Sequence, residues 1–267
     1  MPEKAKLVLD DSIFNAELPI FQLQGYFNVS KHLGGLKSTN RLIESCNITG
    51  DSYVLDVGCG VGQTACYLAR KTGCRVAGID ITEAMVIRAK ERVVKGKFED
   101  RVEIKQADAV TLPYGDNIFD AVITESVIVF INDKQGALDE FKRVLKPGGH
   151  IGLNETMLVA PSPPEDVIKA LTDSEFFVAE VLTPERAEEL LKNAGFQKIE
   201  GFTHKIGIWG ELVGHFKRFG IRGSLKSISR SLGSIRNPTY RKFMKEAKSL
   251  PRSVTKYLGY GIYTGEK

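Results

Sequence analysis

Between Tyr53 and Glu155, short β-branched or apolar runs alternate with segments of helical period, and this alternation constrains the fold of the 267-residue chain more than any other feature. Tyr53–Val57, Arg75–Asp80, Arg101–Gln106, Phe119–Thr124 and His150–Glu155 have the length and composition of strands. Gln63–Lys71 gathers Ala65, Cys66 and Leu68 on one side, and Thr82–Lys95 gathers Met85, Val86, Ala89 and Val93 behind a Thr82 that suits an N-cap. Asp133–Lys146 aligns Leu138, Phe141, Val144 and Leu145 and stops at LKPGG; Thr183–Ala194 has Thr183 as cap, Pro184 in its first turn and Gly195 as terminator. Ile199–His204 and Tyr257–Thr264 read as two later strands. Regular strand–helix alternation places strands in parallel with helices on both faces, so the expected fold is α/β, a doubly wound, mostly parallel sheet of seven strands.

The first strand runs into VLDVGCGVGQTACYLA, Val54–Ala69. A glycine-rich turn from strand to helix lets backbone N–H groups approach a ligand closely. Here the spacing is Gly58-x-Gly60-x-Gly62, with Asp56 two residues ahead. The dinucleotide fingerprint needs its third glycine at position 63, which is Gln63, and a P-loop needs GK[ST], which is missing. A carboxylate beside the turn also repels a diphosphate. S-adenosylmethionine removes the conflict, because it has no phosphate and carries an ammonium and a sulfonium. Asp56 then attracts the ligand, directly or through water, while the glycines let the backbone pass close to its methionine end.

The runs VLDVGCGVGQ, VAGIDIT, QADAVTLPYGDNIFD and LKPGGHIGLNE follow one another from Val54 to Glu155. In order and spacing this set resembles the Rossmann-like class I S-adenosylmethionine-dependent methyltransferases, in particular the type 11 small-molecule group that includes quinone, tocopherol and sterol methyltransferases. The resemblance implies S-adenosyl-L-methionine as cofactor and a cofactor site of Asp56, Gly58, Gly60, Gly62, Asp80, Ile81, Met85, Ala107, Asp108, Ala109 and Glu125. Asp80 is expected to accept both ribose hydroxyls, its alternative being a cap for the next helix. Ile81 and Met85 are expected on the adenine face, although a helical Met is as readily core. Asp108, between Ala107 and Ala109, matches the acid that accepts from the adenine amino group, and otherwise reads as a turn residue. Glu125 and Ser126 are expected near the methionine end.

The same resemblance narrows the acceptor. Amino-group methylases of nucleic acids carry [DNS]PP[YFW] after the fourth strand, where this chain has TESV; cytosine-C5 enzymes need a Cys there. The double-glutamate loop of protein-arginine enzymes is not reproduced by ESVIVFIND, and no acidic cluster suits a metal-assisted catechol type, so no metal is expected. A small-molecule acceptor, lipid- or isoprenoid-like in one version, is the expectation. A tRNA or protein methyltransferase holding an anionic partner on its basic segment is the alternative. Loss of a proton from the acceptor calls for a nearby acid–base group. Tyr26 and His32, in FQLQGYFNVSKHLGGLKST, are the candidates, the other reading being lid packing and helix capping.

Charge is divided unevenly. From Lys205 to Lys256 there are thirteen Lys or Arg against Glu211 and Glu246, so this stretch carries +11 in a chain of net +4 and leaves the rest near −7. Trp209, Leu212, Val213, Phe216 and Phe219 share one helical face; Tyr240, Phe243, Met244 and Ala247 share another, against Arg241, Lys242, Lys245 and Lys248. Such helices suit an anionic membrane surface, or form an ordinary cap with a solvated cationic face. The expected division is an N-terminal helical lid (1–48), a cofactor-binding core (49–205), a basic helical insertion (206–255) and a final strand (256–267). MPEKAKLVLDD lacks the basic and apolar regions of a secretory signal, and AVITESVIVFI is short and broken by Glu125. Cys46, Cys59, Cys66 and Cys74 form no CxxC pair. A cytoplasmic protein with reduced thiols and peripheral membrane contact at most is expected.

Overall fold

The structure, a computed structural model, describes residues 32–172, 180–205, 238–251 and 253–267. In chain order the elements are α1 (Gly35–Ser45), β1 (Tyr53–Val57), α2 (Gln63–Thr72), β2 (Arg75–Asp80), α3 (Glu83–Gly96), β3 (Val102–Gln106) and β4 (Phe119–Glu125). A 3-10 turn, Ile128–Phe130, precedes α4 (Lys134–Val144), β5 (Leu145–Leu158), α5 (Glu165–Thr172), α6 (Pro184–Asn193) and β6 (Gln197–Lys205). The chain closes with α7 (Pro238–Ser249), α8 (Val254–Tyr257) and β7 (Leu258–Glu266). The sheet order is β3-β2-β1-β4-β5-β7-β6; β7 runs antiparallel between β5 and β6, and the other pairings are parallel.

The alternation within each strand explains how both faces are covered. Leu55, Val57, Ala77, Ile79, Val122, Ile151 and Leu153 join Leu138, Phe141 and Val144 of α4 and Leu190 and Leu191 of α6 in one core cluster. Val54, Val76, Val102, Ala121 and Ile123 face the other way, into Ile43 of α1, Ala65 and Leu68 of α2, and Val86, Ala89 and Val93 of α3. A period of two side chains per face produces this split, and each fully buried Leu, Ile or Phe contributes roughly 1.5–3 kcal/mol. The same period puts Asp56 on the α2 side and holds it there, since a slip of one residue would exchange the faces.

Several boundaries differ from expectation for identifiable reasons. The strand expected over His150–Glu155 spans Leu145–Leu158, because LKPGG does not leave the sheet. Leu145 pairs with Phe119 and His150 with Ala121, the extra residues forming a bulge that includes Gly148 at φ 75°. Thr82 occupies the N-cap of α3, yet its side chain makes no capping bond. Asp133 and Thr183 do cap α4 and α6, accepting from Gly136 N and Arg186 N. In the described part of the expected lid, α1 lies on β5 and β7, with Leu42 and Ile43 buried and Cys46 buried just beyond its end. In α7 the exposed side chains include Arg241, Lys242, Lys245 and Lys248, and Met244, expected on the covered face, is 36% exposed. Tyr26, the rest of the lid and the Trp209–Phe219 helix lie outside the described residues. Cys46, Cys59, Cys66 and Cys74 are buried free thiols. No described helix is long and apolar enough to cross a membrane.

Candidate active site

Ligands of open α/β sheets sit beyond the carboxyl ends of the parallel strands. At that edge the fold gathers Asp56 from β1, Asp80 from β2, Glu125 from β4, and Asn154 and Glu155 from β5. The glycine turn lies beside them with Gly58, Gly60 and Gly62 all left-handed, at φ 65°, 53° and 73°. Two of these positions are also closed to any side chain by packing. A Cβ on Gly58 would stand 2.4 Å from Val127 Cγ2, and one on Gly62 would stand 3.0 Å from Ala89 Cβ on α3. The turn is thus wedged between the loop after β4 and the helix after β2, which fixes where its N–H groups point.

Asp80 fastens the turn to β2. Its Oδ2 accepts from Gly60 N at 2.9 Å and its Oδ1 from Thr82 N at 2.9 Å. One carboxylate therefore organises the start of α3 as well as the glycine turn. Burial raises Asp80, and the N–H donors of Thr82 and Gly60 oppose that rise. Asp56 is 2% exposed and its Oδ2 has no hydrogen-bond partner among the described residues. Burial first, then the charges of Glu125 and Asp80, pushes its carboxyl well above the ordinary range. The sequence placed a charge here. The structure buries that carboxyl beside two others, Glu125 and Asp80.

Glu125 has its side chain 5% exposed at the end of β4. Its oxygens accept from Thr64 Oγ1 at 2.8 Å and from Thr39 Oγ1 at 3.0 and 3.3 Å, and His32 Nε2 lies 3.3 Å from Oε1. Asn154 Nδ2 reaches Oε1 at 3.4 Å and also donates to Leu33 O and Ser38 Oγ. Glu155, fully buried, accepts from Val127 N at 3.0 Å and Ile128 N at 3.1 Å, which shapes the loop after β4. In that loop Ser126 adopts φ 59°, a costly conformation for a residue other than glycine, and its N–H donates to Asn154 O at 2.7 Å. Burial pushes Glu155 up to about 7, and its Oε2 has no partner among the described residues.

The remaining expected residues line the β2–β3 side. Ile81 is 61% exposed, an apolar side chain open to a ligand, and its carbonyl accepts from Gln106 Nε2 at 3.0 Å. Met85 is 2% exposed and belongs to the interior, so it offers a ligand little surface. Ala107 and Ala109 are half-buried against the core. Asp108 is exposed and accepts from Val110 N at 3.1 Å in a local turn, the plain reading of that residue. Thr39, Thr64 and Asn154 were not identified from sequence; their partners at Glu125 lie 86, 61 and 29 residues away, and only the topology joins them. Among the described residues no group of three or more His, Cys, Asp or Glu is arranged to hold a metal.

The orphaned atoms test what this site fits. Asp56 Oδ2, Gln63 Oε1, Asn154 Oδ1, Glu155 Oε2 and the Tyr114 hydroxyl are buried without hydrogen-bond partners among the described residues, and the first four are carbonyl or carboxyl oxygens. Four acceptors and three strand-end acids ask for donors and positive charge, as an ammonium–sulfonium ligand supplies and a diphosphate does not.

The methyltransferase domain, type 11, matches residues 55–153. A 27-O-demethylrifamycin SV methyltransferase of Amycolatopsis mediterranei is 38% identical over 125 residues, 47% of this chain and 46% of that protein. A sarcosine/dimethylglycine N-methyltransferase of Halorhodospira halochloris is 33% identical over 158 residues, 58% of this chain and 56% of the other. The chain thus spans about half the length of these curated relatives. Among solved structures, a Haemonchus contortus phosphoethanolamine N-methyltransferase 2 in complex with phosphomonomethylethanolamine and S-adenosylhomocysteine superposes with a TM-score of 0.72. At 20% identity, over 92% of this chain and 57% of that one, this likeness shows the fold. The glycine turn and its acid rim lie within this stretch: residues 55–153 carry a methyltransferase domain of the type 11 group.

Proposed function

We propose that this chain transfers the methyl group of S-adenosylmethionine to a small-molecule acceptor. The observation that carries the reading is the buried, partnerless Asp56 Oδ2 beside a left-handed glycine turn, with Asp80 and Glu125 adding to the negative field. The relatives' names give an oxygen acceptor on a rifamycin and amine acceptors in sarcosine and dimethylglycine, all of them small molecules.

Each group has a role in this reading. Gly58, Gly60 and Gly62 admit the methionine end of the cofactor, and Asp56 faces its cationic groups. Asp80 accepts from the ribose hydroxyls while still holding Gly60, since each carboxylate oxygen has a second lone pair. Ile81 covers the adenine, and Asp108 keeps one oxygen for the adenine amino group. Ala107 and Ala109 leave room there, and Met85 supports the site from beneath. The bound cofactor supplies an electrophilic methyl group for in-line displacement. The protein contributes alignment and a place for the acceptor's proton, for which His32 and Tyr26 are the candidates. The lid (1–48), core (49–205), insertion (206–255) and final strand (256–267) remain the working division.

A peripheral contact with an anionic membrane through 206–255 belongs to the same proposal. Its support is the exposed row of Arg241, Lys242, Lys245 and Lys248 around a partly exposed Met244 on α7. Equal sedimentation with neutral and anionic vesicles would refute that contact. The activity itself is tested with methyl-labelled S-adenosylmethionine and cell extract, separated into polar metabolites, lipids, RNA and protein. Label in the metabolite or lipid fraction supports the proposal. Label confined to RNA or protein, or none, overturns it.

A further inference from the structure

The connection from β3 to β4, residues 107–118, includes Ala107, Asp108 and Ala109, and its path is set from another element. At its start Ala107 N donates to Asp80 O at 3.1 Å; at its end Asn117 N and Ile118 N donate to Arg143 O and Val144 O at 3.1 and 2.7 Å. Between these anchors Asp108 opens a turn, its carbonyl accepting from Thr111 N at 3.2 Å and its Oδ1 from Val110 N at 3.1 Å. The residue after that turn, Leu112, is buried, and side chains of α4 hold both of its peptide groups. Glu140 Oε2 accepts from Leu112 N at 2.8 Å. Arg143 donates from Nη2 to Leu112 O at 3.3 Å, and from Nη1 to Tyr114 O and Asp116 Oδ1, each at 2.8 Å. Glu140 and Arg143 stand three residues apart on one face of α4, and the guanidinium Nε and Nη2 donate to Glu140 Oε1 and Oε2 at 2.6 and 2.9 Å. All five N–H donors of Arg143 are thereby taken, three by the connection and two by Glu140.

We propose that Arg143 and Glu140 are positioning residues for adenine recognition: from α4 they fix the far end of the Asp108 turn, so that the Asp108 carboxylate is in place for the adenine amino group. This rests on the reading of Asp108 as the acceptor of that group. Its Oδ1 is engaged by Val110 N, which leaves Oδ2 for the ligand. The side chains of Arg143 and Glu140 are 32% and 22% exposed, so their ion pairing adds little to the stability of the whole fold. Their effect is local. Asp108 sits on an exposed turn, and a turn ordered before the ligand arrives removes an ordering cost from binding. Lysine presents its three donors from a single nitrogen and lacks the planar fork, so it cannot hold a carboxylate and two carbonyls in these directions at once.

The test uses S-adenosylhomocysteine, the demethylated product, and its analogue with hydrogen in place of the adenine amino group. Calorimetry with the two reads the amino contact by itself. Wild type should bind the adenine ligand about tenfold or more tightly than the analogue, as expected for a hydrogen bond to a charged acceptor. In Arg143→Lys, and equally in Asp108→Ala, that preference should fall to about threefold or less. The double variant Arg143→Lys/Asp108→Ala should lose no more of it than Asp108→Ala alone, since both changes act on one contact. A general softening of the domain weakens both ligands by the same factor and leaves their ratio unmoved. Glu140→Gln keeps an oxygen for Leu112 N but loses the paired bonds to the guanidinium, and it decides the matter should Arg143→Lys not fold. Full preference in Arg143→Lys or Glu140→Gln, with Asp108→Ala losing it, would overturn the proposal while leaving Asp108 at the adenine. Full preference in Asp108→Ala, or none in wild type, would overturn the reading of Asp108 and the role of the α4 pair with it. Wild type that binds neither ligand would overturn the proposed function, and this inference with it.

Discussion

Replacing Glu155 by Gln should change the pH dependence of stability in a predictable direction. The carboxyl is fully buried, holds Val127 N and Ile128 N through Oε1, and is pushed by burial from 4.5 up to about 7. Between these two values the folded protein retains a proton that the unfolded chain has released. Stability therefore falls as pH rises through that window and levels off above it. Integrated from pH 5 to pH 8, this single group removes roughly 2–3 kcal/mol. Glutamine keeps a carbonyl oxygen for the two N–H donors and cannot ionise. Urea unfolding of both proteins at pH 5 and pH 8 should show the difference shifting by roughly 2–3 kcal/mol in favour of Glu155→Gln at the higher pH. Every other titrating group is common to the pair and cancels. Parallel pH dependences, or a variant that loses ground as pH rises, would refute the reasoning.

Asp80→Ala removes the acceptor of Gly60 N and the expected partner of the ribose hydroxyls. Calorimetry should show S-adenosylmethionine binding weakened by about 1–3 kcal/mol, and native affinity would remove Asp80 from the site. Gly58→Ala places a Cβ 2.4 Å from Val127 Cγ2 at φ 65° and should cost about 2–4 kcal/mol in denaturant unfolding. Adding Val127→Ala should restore the packing part of that loss and leave about 1–2 kcal/mol of backbone strain; no recovery would show that Val127 is not what closes the position.

The strands β1 and β2 were legible to the residue because their cause is local, a short apolar run that ends at a glycine turn in β1 and at the start of a helix in β2. β5 was half legible, since its first half includes LKPGG, whose place in the sheet is set by pairing with Phe119 on another strand. The identities of Asp56, Asp80 and Glu125 could be read as a pattern along the chain, but their states could not. That the Asp56 carboxyl is pushed up follows from burial beside Glu125 and Asp80, carboxylates from two other strands. The sequence also ranked Thr82 as the cap of α3, whereas Asp80 takes the Thr82 N–H and ties it to Gly60. Thr39, Thr64 and Asn154 have ordinary local contexts, and their meeting at one carboxylate exists only once α1, α2 and β5 are in place. Met85 and Ile81 were paired in expectation; burial divides them, one inward and one open.

The central claim is that an acid-rimmed glycine turn takes a cationic guest and refuses a diphosphate. Titrating wild type and Asp56→Asn with S-adenosylmethionine and with a nicotinamide dinucleotide, in two buffers of different ionisation enthalpy, tests it most directly. The account predicts that S-adenosylmethionine binds wild type, and that a proton is released wherever the pH lies below the raised Asp56 pKa, because a cation beside the carboxyl lowers it. Asp56→Asn should release none and bind about tenfold or more weakly, and the dinucleotide should not bind either protein. Dinucleotide binding to wild type, or native S-adenosylmethionine affinity in Asp56→Asn, would contradict it.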